Sequence, residues 1–150
     1  MKDLLVILFV AALGMLVIMA AMYIASCCDR RRLTALLERI CRGDLTAPES
    51  YEFINTRIEQ LCYPFSIGDV RAIAVASELR RQELTVEPLY PGQAFWGNYY
   101  YHIRGCFEGL DGQGLPFVLQ REGWLCIECR QMRGHWKSCI LQVQRRSQPF

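Results

Sequence analysis

The chain has 150 residues, 52% of them hydrophobic and 21% charged, with a formal net charge of +2. That composition excludes an intrinsically disordered chain. Setting Lys2 and Asp3 aside leaves 16 basic against 14 acidic residues, a balance that excludes a mainly electrostatic nucleic-acid binder.

The hydrophobic residues are concentrated at the start. Residues 4–25 are 22 consecutive positions without a charge, and a helix of that length, rising about 1.5 Å per residue, spans roughly 33 Å, against a bilayer hydrocarbon core of about 30 Å. Cleaved signal peptides carry a shorter apolar region, about 7–15 residues, behind a basic start; here Asp3 offsets Lys2. Residues 1–28 are therefore expected to be an uncleaved signal-anchor and 29–150 a small domain on a tether of a few residues. Ile24-Ala25-Ser26-Cys27 is similar to a bacterial lipobox, but the length of the apolar run argues against that processing. Lys2 alone precedes the span, whereas Arg30, Arg31, Arg32, Arg39 and Arg42 follow within 17 residues, so the positive-inside rule places the C-terminal domain in the cytosol. Arg30, Arg31 and Arg32 form a membrane-proximal basic cluster suited to anionic lipid. Cys27 and Cys28 stand beside it, in the setting where a juxtamembrane thiol is S-acylated; the plainer reading makes them small interfacial residues.

Beyond the span, Leu33, Leu36, Leu37, Ile40 and Cys41 recur at i, i+3, i+4, i+7 spacing, predicting an amphipathic helix that stops at Gly43. Thr46-Ala47-Pro48-Glu49 reads as a capping box opening a second helix with Phe53, Ile54, Ile58, Leu61 and Cys62 as its buried stripe, closed by Pro64. Ser66 caps a third, traced by Val70, Ile73, Ala74, Ser77 and Leu84. Two prolines and two glycines between positions 88 and 97 change the pattern, and strands follow. Four are expected: 99–107, 117–120 after a turn at 110–114, 124–129 after a turn at Glu122-Gly123, and 139–144, with residues 145–150 as a tail. Helices within 33–84 and strands within 97–144 predict an α+β fold: a transmembrane helix, about three helices, then an antiparallel meander of about four strands.

The six cysteines after the junction, Cys41, Cys62, Cys106, Cys126, Cys129 and Cys139, would suggest three disulfides and an oxidising compartment, against the arginine asymmetry. No Asn-x-Ser/Thr acceptor supports an external domain, and buried free cysteine behaves as a small hydrophobe, so the cytosolic reading is preferred. Cys126, Cys129, His135 and Cys139 are zinc-competent ligands within 14 residues. Their spacing is similar to a CCHC zinc knuckle of the retroviral type, with the histidine one place later; that resemblance implies stacking by Trp124 and Trp136 and phosphate contacts from Arg130, Arg133 and Lys137. Against it, Cys126 and Cys129 fall on opposite faces of a regular strand, so no cofactor is expected and Cys129 is expected to pack with Leu125 and Ile127.

No catalytic site is read. His102 and His135 are the two histidines. Cys106 lies four residues from His102 on the same strand face, about 13 Å away, beyond proton-transfer reach. No glycine pattern precedes a helix, so nucleotide binding is unsupported. The expected protein is a non-enzymatic single-pass membrane protein presenting an interaction or assembly domain. Tyr100, His102 and Arg104 are its candidate surface. Its expected partners are the bilayer and another membrane or membrane-proximal protein, with no specific nucleic acid or small-molecule substrate. The alternatives are a disulfide-stapled external, periplasmic or viral-envelope domain, and a zinc-knuckle-like regulatory or nucleic-acid module at 126–139.

Overall fold

The computed structural model describes residues 2–44, 58–131 and 138–150. Three α-helices, a 3-10 helix and four strands occur among them: α1 (Lys2–Cys41), α2 (Ile58–Leu61), α3 (Ile67–Ala74), β1 (Glu78–Leu89), the 3-10 helix Pro91–Trp96, β2 (Asn98–Leu110), β3 (Pro116–Gln131) and β4 (Ser138–Arg146). The strands form one antiparallel sheet in the order β1-β2-β3-β4. The α+β class and the meander are as expected.

The predicted span and the first amphipathic helix are a single element. No glycine or proline interrupts residues 15–41, so the helix leaves the apolar run without a break and the expected tether is absent. Its last third carries the predicted stripe: Leu33, Leu36, Leu37, Ile40 and Cys41 are all buried. They meet Tyr99, Tyr101, Ile103, Phe107, Leu125, Ile127 and Cys129 of the sheet, with Leu61, Cys62, Phe65, Val70 and Ile73 completing the core. Each such side chain contributes roughly 1.5–3 kcal/mol of burial.

The third helix is shorter than predicted. It ends at Ala74, and the segment from Glu78 through Leu84 belongs to β1, paired with β2 from Glu78↔Leu110 to Leu89↔Tyr100. Only Val86 of β1 is buried, because β1 is an edge strand held by its backbone ladder, and charged side chains on both faces are ordinary there. That charge pattern imitates the solvated face of a helix. The second predicted helix is described only from Ile58 on; the capping box and Phe53 lie outside the described residues. Among the described residues the three predicted helices are thus the last third of α1, α2 and α3. Ser66 and Asp69 do form a capping box on α3, and Arg121 of β3 reaches Asp69 at 3.2 Å, clamping α3 to the sheet.

The turn expected at Glu122-Gly123 does not occur, and the two predicted strands are one, β3. Gly123 faces the core opposite Ile103. A β-carbon there would fall 2.9 Å from the Pro64 side chain, and the Tyr63 ring closes the same space. Its glycine admits the segment after α2 to the sheet surface, as Gly105 admits Phe65, whose ring meets Phe107 edge-on at 5.6 Å. In β4 the register shifts, pairing Gln142 with Glu128 and Ile140 with Cys129. This bulge puts positions 140 and 143 in register with the core-facing Cys129 and Ile127, where regular alternation would oppose them. The expected tail is partly structured: Arg145 and Arg146 lie in β4, and Phe150 packs on Tyr100.

Candidate interaction face and membrane junction

β2 alternates without interruption, with Tyr99, Tyr101, Ile103 and Phe107 buried and Tyr100, His102, Arg104, Cys106 and Glu108 on the opposite side. No described helix covers that second side, so the three candidate surface residues share the open face of the sheet. Their settings differ. Arg104 is exposed, between Thr85 and Glu122 in the register. His102 stacks on Trp124 with ring centroids 4.7 Å apart, its Nε2 2.7 Å from a Glu122 oxygen and its Nδ1 3.9 Å from Glu87. Tyr100 is wedged edge-on between Tyr90 and Phe150, at 5.5 and 5.2 Å, with the Arg146 guanidinium 4.7 Å from the centre of the Phe150 ring. Burial raises the Tyr100 hydroxyl pKa, and its contact with Cys126 adds to this. Farther along the face Arg81 bridges Glu83 and Glu108, and its hydrogen bond holds the Glu83 carboxyl below its ordinary pKa.

Cys126 belongs to this open face, beside Tyr100, and burial raises its thiol pKa. Cys129 points the other way, into the core with Leu125 and Ile127. The bulge adds its extra residue to β4, so β3 keeps its alternation and the two thiols diverge. His135 lies outside the described residues, as do Arg133, Trp136 and Lys137; of Cys139 only the backbone is placed, opposite Arg130. Among the described residues no three His, Cys, Asp or Glu side chains gather as a metal site. His102 and Cys106 are not brought together: the imidazole is held by Glu122, and the Cys106 thiol faces Glu108 at 3.8 Å.

At the junction, Arg31, Arg32 and Cys28 are exposed, while Cys27 and Arg30 are half-buried. The Arg30 carbonyl accepts hydrogen bonds from the Tyr101 hydroxyl at 3.1 Å and from Thr34 at 2.8 Å. Tyr99 reaches one turn closer to the span, beside Ser26; burial, reinforced by Asp29, raises its hydroxyl pKa. Thus two core tyrosines fasten the sheet to the helix at its exit from the apolar run. Their alternation is legible in the sequence, but their partners are not, because the partners exist only if the helix continues past Cys28. The 3-10 helix beside this exit, carrying Phe95 and Trp96, has no sequence signal beyond its proline and glycines. No family model, curated protein or solved structure matches the chain.

Proposed function

We propose that this chain is a non-enzymatic, single-pass membrane protein that presents its sheet to another membrane or membrane-proximal protein. The observation that carries the reading is the continuity of α1: residues 4–25 are apolar, exposed through residue 24, and the same helix, without a joint, becomes the core of the domain at residues 33–41. Exposed apolar surface of that length is tolerated in lipid and not in water. A domain built on the exit turn of its own anchor has a restricted height and tilt. Confinement near the membrane raises effective concentration, so weak contacts through Arg104, His102 and the Tyr100 cluster suffice for capture.

The five arginines after the span support a cytosolic domain. The divergence of Cys126 and Cys129 adds to that support, because it rules out a bridge between those near neighbours. The external alternative would draw first on Cys41 and Cys62, which are buried together in the core with the Cys41 thiol 3.8 Å from the Cys62 carbonyl.

Alkaline carbonate extraction followed by protease treatment of sealed right-side-out vesicles tests the reading. Retention in the pellet, an intact N-terminus, and protection of everything after Arg32 are expected. Release by carbonate, or a mature N-terminus beyond residue 25, would remove the anchor. Digestion from outside would invert the topology.

A further inference from the structure

A cleft of about 570 Å³ lies between α1 and the 3-10 helix, within the range of small-molecule sites. One wall is Ala21, Met22 and Ala25 of the apolar run; the other is Phe95 and Trp96; Asp29 lies at the polar end. Two alanines one turn apart leave the concavity, and the two aromatic rings, packed edge-on at 5.2 Å, face it. Trp96 is 74% exposed, the most of the large hydrophobic side chains in the described part of the domain.

The geometry points to a lipid site: the cleft holds the acyl chain of a bilayer phospholipid, with Trp96 set at the headgroup boundary. This rests on the membrane anchor proposed above. If residues 4–25 span the bilayer, Ala25 marks the edge of the hydrocarbon and Ala21 lies about 6 Å inside it, so one wall of the cleft is already in lipid. A soluble ligand would have to enter through the membrane, whereas a neighbouring acyl chain is already there. Tryptophan exposed at that level, with an apolar body and an N–H donor, is placed where interfacial tryptophans gather. Asp29, one turn beyond Ala25, marks where the cleft becomes polar.

The test is full-length protein in bilayers doped with a phosphatidylcholine carrying a photoactivatable diazirine near the ester end of one acyl chain, with adducts mapped by mass spectrometry. Adducts on residues 91–97 are expected in addition to those on the span. Filling the cleft by Ala25→Trp should cut the former at least fivefold and leave those on residues 4–20 unchanged. Adducts confined to the span, or insensitive to Ala25→Trp, would overturn the proposal. If Ala25→Trp does not fold, Trp96 is read alone in the Trp124→Phe, Trp136→Phe background. Quenching by lipid brominated near the headgroup supports the site; water-like, unquenched emission refutes it. Protein that stays in the carbonate pellet yet fails these tests refutes the cleft and leaves the anchor standing, whereas release by carbonate refutes the anchor first.

Discussion

Cys41 shows how strongly position governs chemistry in this chain. Its thiol is fully buried, and burial first, then the neighbouring Cys62, pushes its pKa up to about 12. In the unfolded chain a thiol ionises near pH 8.5, so between about pH 9 and 12 the folded state binds the extra proton. The stability this group contributes is complete only below about pH 8.5 and is lost as pH rises towards 12. Cys41→Ala should therefore flatten the alkaline arm of the stability profile relative to the parent while lowering stability at neutral pH through lost packing; equal alkaline slopes would contradict the assignment. Tyr101→Phe removes the hydroxyl bond to the Arg30 carbonyl and should cost about 1 kcal/mol in urea unfolding. Gly123→Val places a branched side chain against Tyr63 and Pro64 and should cost about 1–3 kcal/mol. The stripe from Leu33 to Cys41 was legible because helix periodicity is local. Gly123 was not, since a glycine that admits another segment and a glycine that turns the chain are the same letter.

Elements were misread where backbone pairing overrides side-chain pattern. β1 presents Arg80, Arg81, Glu83 and Glu87 in an order that suits a solvated helix, yet an edge strand needs only a partner ladder, and β2 supplies it. The β2 face assignment succeeded because alternation there is uninterrupted, and it placed Tyr100, His102 and Arg104 together. It could not foresee that Tyr100 is gripped by Tyr90 and Phe150, so Arg104→Ala is the cleaner probe of the open face. Partner capture should fall with unfolding unchanged within about 0.5 kcal/mol, as for other exposed substitutions; equal loss of folding and binding would make Arg104 structural. The continuity of α1 makes a second prediction. Trypsin should cut slowly at Arg30–Arg32, because cleavage requires local unfolding of helix fastened by Tyr99 and Tyr101. Inserting two glycines between Cys28 and Asp29 should make the same bonds labile while the rest of the domain resists; unchanged cleavage would contradict a helix that is stiff through the junction.

At the scale of the whole molecule, the long apolar helix and the class of fold could be read from the sequence because both are averages over many residues. The joint between them could not. Composition changes sharply at Cys28 and Asp29, and a change in composition reads as a boundary, although a helix crosses it whenever nothing breaks its hydrogen bonds. The result is a sheet attached to the end of one long helix whose first part is long and apolar enough to cross a bilayer. Spin labels placed singly along residues 20–36, in protein reconstituted into nanodiscs, test that claim most directly. Accessibility to oxygen and to a water-soluble nickel chelate should oscillate with a period near 3.6 residues, unbroken through residues 26–30, while the mean level passes from lipid-like to water-like near residue 25. Loss of the oscillation between residues 26 and 30, with mobile line shapes there, would contradict it and return the domain to a flexible tether.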